Sequence, residues 1–150
     1  MNVTAYDVAS RFIGLREIPG KDHNPHILAM LKLDDDWPES DEVSWCSAFT
    51  NYICWLLDLP RSKSLAARSW LNVGSPIPLP NARQGDVLVF WRGVAPAPDE
   101  PLDKGPGHVG FFAGQDNATH VQVLGGNQAD TVSIASYPRI RLLGVRRIDP

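Results

Sequence analysis

Apolar residues recur at helical spacing in the first half of the chain and gather into short runs in the second. Trp45, Phe49, Tyr52 and Leu56 share one helical face, widened by Ile53, which predicts the strongest helix over about 45–58, closed by Pro60. Upstream, Thr4 and Asp7 have capping-box spacing ahead of Val8, Phe12, Ile13 and Leu15, with Gly14 near the end of that helix. Ile18-Pro19-Gly20 reads as a turn, and Asn24-Pro25 opens a short helix to about Leu33. The acidic run Asp34-Asp35-Asp36 reads as a solvated loop. A further short helix over 65–71 precedes Pro76, Pro78 and Pro80, which impose an extended connection.

After Gln84 the pattern changes. Val87 to Trp91 is a compact apolar run, and 108–113, 119–124, 131–135 and 140–146 read as short strands separated by Gly, Asn and Asp. The Pro-rich segment 95–106 is expected to be the least ordered connection. Helices first and an antiparallel sheet second predict an α+β fold, and 150 residues fit one domain spanning 1–150.

Composition narrows the function classes. Hydrophobic residues at 43% and charged residues at 21% describe an ordinary globule. A net charge of -3 excludes the concentrated basic surface that nucleic-acid binding needs. No stretch reaches the ~20 apolar residues of a membrane span. Residues 1–10 show neither the basic nor the apolar region of a signal peptide, so folding in the cytoplasm is expected, with release or secretion for any outside target. The two cysteines, Cys46 and Cys54, would be ~12 Å apart along one helix, too far for a disulfide. His23, His26, His108 and His120 lack zinc-finger spacing, so neither a metal nor a cofactor is expected.

Three positions then carry candidate chemistry. Cys46 lies at the mouth of the strongest helix, with Ser44 as a plausible cap, where the exposed N–H groups lower a thiol's pKa and can receive an oxyanion. Cys54, mid-helix between Ile53 and Trp55, reads as plain core. His108 opens an apolar strand at the sheet edge, where an imidazole can face a helix N-terminus and serve as base. A third group should orient that imidazole. Asn127, beside two glycines, offers a side-chain oxygen, and His120, on the same neighbouring strand, competes with it. Either is equally readable as a turn or surface residue. Arg68 is a groove candidate for a substrate carboxylate or a plain surface residue, and Glu42 either meets the helix N-terminus or is solvated.

Trp45-Cys46-Ser47-Ala48-Phe49, Ala67-Arg68-Ser69-Trp70-Leu71, Gln84-Gly85-Asp86-Val87, Gly107-His108-Val109-Gly110-Phe111 and Val123-Leu124-Gly125-Gly126-Asn127-Gln128 stand in one unbroken order. Together they resemble a compact branch of the CHAP/NlpC-type superfamily, papain-like peptidoglycan amidases and endopeptidases, over most of the chain from about Glu17. The resemblance implies a papain-like fold with Cys46 as nucleophile and His108 as base. Asn127 matches the orienting residue of CHAP-type members, and His120 lies near the second histidine of NlpC-type ones. Trp45 replaces the commoner Asp before the cysteine and is either core or a wall of the substrate groove. The implied partner is a peptidoglycan stem peptide. A lytic enzyme without a signal peptide fits a phage endolysin or an interbacterial effector, the latter with a cognate immunity protein. A thiol acyltransferase (transglutaminase-like) and a non-catalytic wall-binding module stay open as alternatives.

Overall fold

A computed structural model describes residues 2–18, 24–34 and 45–150. Ser44, Glu42, His23, Asp35, Asp36 and the Pro19-Gly20 turn lie outside the described residues. Among the described residues the chain runs through three α-helices, α1 (Ala5–Ser10), α2 (Pro25–Leu31) and α3 (Cys46–Leu56), then a 3-10 helix at Ala67–Asn72. The strands are β1 (Ser75–Pro76), β2 (Val87–Trp91), β3 (Gly107–Gln115), β4 (His120–Gln128), β5 (Thr131–Pro138) and β6 (Leu142–Arg147). They form one antiparallel sheet in the order β1-β6-β2-β3-β4-β5. Helices preceding an antiparallel sheet is the α+β arrangement the sequence predicts. No helix among the described residues is long and apolar enough to cross a membrane.

Local chemistry sets the element ends. Thr4 Oγ1 accepts from Asp7 N while Asp7 Oδ2 accepts from Thr4 N, the reciprocal capping box. Asn24 caps α2 through His26 N, with Pro25 at its first position. The β4–β5 hairpin turns on Ala129 and Asp130, both at positive φ (53° and 60°), the twist a two-residue hairpin loop requires.

Strand alternation sends side chains to both faces of the sheet, and both faces are covered. Val87, Val89, Val109, Phe111 and Leu124 pack with Phe49, Ile53 and Trp70 on the helix side. Leu88, Phe90, Phe112, Val121, Val123 and Val145 form a second cluster on the other side. This explains the unbroken apolar run of β2, which lies between β6 and β3 with a core above and below. Phe49 and Ile53, fully buried, each contribute roughly 1.5–3 kcal/mol to holding α3 on the sheet. The Gly85-Asp86 pair that opens β2 is structural. Gly85 has φ +103, and the buried Asp86 carboxylate accepts from Arg83 N and from Arg147 Nε and Nη2 at 2.8–2.9 Å. That ties the start of β2 to the end of β6.

The Pro-rich segment 95–106 departs from expectation. Glu100 N donates to Ala97 O and Lys104 N to Pro101 O, while Pro106 O accepts from both Arg92 N (3.1 Å) and Arg68 Nε (3.0 Å). Arg68 Nη1 also donates to Lys104 O. The segment is a chain of pinned turns rather than a loose loop.

Candidate active site

Cys46 is the first residue of α3, and Trp45 occupies the N-cap. An indole offers only a donor, so the cap side chain leaves the first-turn N–H groups of α3 to other acceptors. Trp45 Nε1 instead donates to Glu17 Oε1 at 2.6 Å, and its ring is fully buried. Trp45 is therefore core and not a groove wall. The helix start is braced from the side. Ser47 Oγ donates to Ser64 O (2.6 Å) and accepts from Trp70 Nε1 (3.0 Å), and Thr50 Oγ1 donates to Cys46 O (3.0 Å). Cys46 itself is 1% exposed.

His108 lies at the start of β3, paired with Phe90 of β2 and 3% exposed. Its Nε2 meets Gln128 Oε1 at 2.9 Å. The amide of Gln128 is oriented by its other end, because Nε2 donates to Ser133 O (2.7 Å) and Val123 O (3.2 Å). Two carbonyls at that end admit only the NH2 group, so the oxygen faces the imidazole. An amide oxygen only accepts. His108 Nε2 therefore carries the proton, and in the neutral ring Nδ1 is left with the lone pair. The imidazole also stacks on Tyr137, with ring centroids 4.7 Å apart and planes 9° from parallel, and Tyr137 stacks in turn on Phe90.

Tyr137 links the two halves of the site. Burial pushes its phenol up to about 12, an ionised Cys46 would push the same way, and Arg92 opposes. The residue in ring contact with His108 thus lies within electrostatic reach of the sulfur. The two glycines of β4 are both tightly packed. A Cβ on Gly126 would sit 2.7 Å from Trp45 Cζ3 and 2.8 Å from Phe49 Cβ, at the start of α3. A Cβ on Gly125 would sit 2.7 Å from Gln128 Oε1 and 3.4 Å from His108 Nε2. Successive residues of one strand therefore point to opposite faces, Gly126 toward the start of α3 and Gly125 toward the imidazole, and neither has room for a side chain.

The side chain that meets His108 Nε2 is Gln128, the neighbour of the candidate Asn127. In a regular strand, residues three apart point to opposite faces, so Gln128 would point away from Gly125. The register shifts between Gly125 and Gln128, and Asn127 takes the left-handed conformation at φ 57. That bulge returns Gln128 to the face of Gly125 and His108. His120 is not brought to the imidazole. It is five residues from Gly125, ~17 Å along the strand, and the unbroken register from 120 to 125 turns it to the opposite face. Its Nδ1 pairs with Thr119 Oγ1 at 2.8 Å. Arg68 is 3% exposed, with its guanidinium turned to the carbonyls of Lys104 and Pro106, so it anchors the approach to β3 instead of facing a groove. Cys54 is core, as read from sequence, and burial pushes its thiol up to about 12. Tyr137 carried no sequence signal, whereas Gln128 was legible as part of Gly-Gly-Asn-Gln. No family model matches the sequence, and no curated protein matches it.

Proposed function

We propose that the chain is a cysteine hydrolase of the CHAP/NlpC type, with a papain-like arrangement of Cys46, His108 and Gln128, cutting a peptide or amide bond of peptidoglycan. The observation that carries this reading is the fixed imidazole. His108 is held at Nε2 by a buried amide oxygen and stacked on the ring of Tyr137. The wall substrate and the delivery route, as phage endolysin or interbacterial effector, follow from the motif resemblance.

In the proposed reaction Nδ1 of His108 takes the thiol proton, and the thiolate attacks the amide carbonyl. The oxyanion meets the backbone N–H of Cys46 at the positive end of α3. The imidazolium, steadied by Gln128 Oε1, gives its proton to the leaving amine as the C–N bond breaks. Water then attacks the thioester, releasing a carboxylic acid and restoring the thiol.

One observation favours a second reading. With Cys46 1% exposed, substrate must displace part of the protein to reach the sulfur, whereas a wall-binding module without turnover needs no access. Wild-type and Cys46→Ala proteins incubated with purified sacculi, with released fragments weighed by mass spectrometry, decide between them. New fragments gaining one water, from wild type only, support the hydrolase. A gain of amine indicates acyl transfer. Absence of fragments from wild type across several pH values refutes both enzymatic readings.

A further inference from the structure

A cavity of about 280 Å³ lies beside this site, and its walls run into both halves of it. One wall is Gly105, Pro106 and Gly107, leading directly to His108. The other is Leu65 to Ala67, following Ser64, whose carbonyl accepts from Ser47 at the start of α3. The single charged residue in the lining is Arg92. Its backbone is fixed, because Arg92 N donates to the same Pro106 carbonyl that Arg68 grips. The wall is fixed as well. Gly105 has φ +103 and leaves only 3.1 Å between a would-be Cβ and Arg68 Nη1, so the guanidinium of Arg68 lies directly behind it.

The charge balance is one-sided. Among the described residues the ion pairs are Arg61 with Asp34 and Arg147 with Asp86, so neither Arg68 nor Arg92 meets a carboxylate. Arg68 spends its N–H groups on neutral carbonyls and keeps its full positive charge in a buried position. Arg92 is exposed at the cavity with its planar fork available. A guanidinium in a concave site, backed by a second unneutralised one, matches a carboxylate better than any neutral group.

We infer that this cavity is the subsite for a free carboxylate on the substrate, close to the scissile amide, and that Arg92 determines specificity by binding it. The inference rests on the hydrolase reading of the adjacent dyad for its place in a reaction. It gives the substrate class a chemical definition, a peptide with an unamidated acid group beside the bond to be cut. Arg92 takes the role for which Arg68 was the sequence candidate.

The test uses a stem peptide containing D-glutamate with its α-carboxylate free, and the same peptide with that group as carboxamide. Binding to the Cys46→Ala protein is measured by calorimetry, separately from turnover by wild type. The free acid should bind about 10- to 100-fold more tightly than the carboxamide, as for a charge-assisted contact. Adding Arg92→Gln should erase the difference by weakening only the acid, while Arg92→Lys should keep part of it. Equal affinity for the two peptides, no binding of either, or an equal loss on both from Arg92→Gln overturns the subsite. If wild type cleaves neither peptide but the acid preference persists and depends on Arg92, the subsite stands and the hydrolase reading falls.

Discussion

Replacing Gln128 by Ala tests the site at its most constrained contact. The side chain is 4% exposed and makes one bond to His108 and two to backbone carbonyls, so truncation strands a buried imidazole N–H. Leaving a buried donor unpaired costs about 1–3 kcal/mol, and the variant should unfold at lower temperature by a corresponding amount. The effect on chemistry is separable because it depends on charge. An amide oxygen facing Nε2–H stabilises the imidazolium more than the neutral ring, by about 1.5–3 kcal/mol, so its loss should lower kcat/KM by roughly 10- to 150-fold. By the same sign, the thiolate–imidazolium pair loses a stabilising partner, and the Cys46 thiolate forms at higher pH. The profile of iodoacetamide alkylation of Cys46 against pH, followed by mass spectrometry, should move to higher pH. Asn127→Gly is the matched control, since glycine accepts φ 57 and removes only the side chain. An unmoved alkylation profile in Gln128→Ala, together with lost activity in Asn127→Gly, would refute the assignment of Gln128 and restore Asn127.

Three further outcomes are expected. Cys54, with its thiol pushed up to about 12 by burial, should resist alkylation in the folded protein, so that peptide mapping finds label at Cys46 alone; label at both would contradict the inert-core assignment. Gly126→Ala should destabilise by about 1–3 kcal/mol in chemical denaturation, because its methyl would overlap the buried Trp45 ring and Phe49, and a change under 0.5 kcal/mol would show that the helix start yields easily. Arg68→Met keeps the aliphatic stem but frees the carbonyls of Lys104 and Pro106, and limited proteolysis should then cut within 95–106 much faster than in wild type; an unchanged rate would mean that the turns hold themselves.

The start of α3 is crowded. Cys46 is buried, Trp45 beside it is fully buried, and Gly126 of β4 has no room for a side chain against the Trp45 ring and Phe49. The Nε2–Gln128 bond lies between two buried side chains, and a dry environment makes the hydrogen bond stronger. A reactive thiol in such a site would depend on its imidazole partner more than an exposed one, because bulk water is not there to solvate the thiolate.

Much of the architecture was readable because local signals and the fold agree. The capping box at Thr4 and Asp7, Asn24-Pro25, the stripe from Trp45 to Leu56 and the apolar run of β2 each appear where their pattern predicts. The places of Cys46 and His108 were readable for the same reason, since a helix start and a strand start are positions a pattern can mark. The contacts of Arg68 and Gln128 were not. Arg68 sits in a short 3-10 helix whose periodicity is too brief to tell inside from outside, and its partners are carbonyls 36 and 38 residues away. Gln128 depends on one residue in the left-handed region. Without the bulge at Asn127, strand alternation would put Gln128 on the wrong face and leave His108 Nε2 without its acceptor. Asn is among the few residues that enter that conformation at low cost, which gives position 127 a role in placing the acceptor without being it.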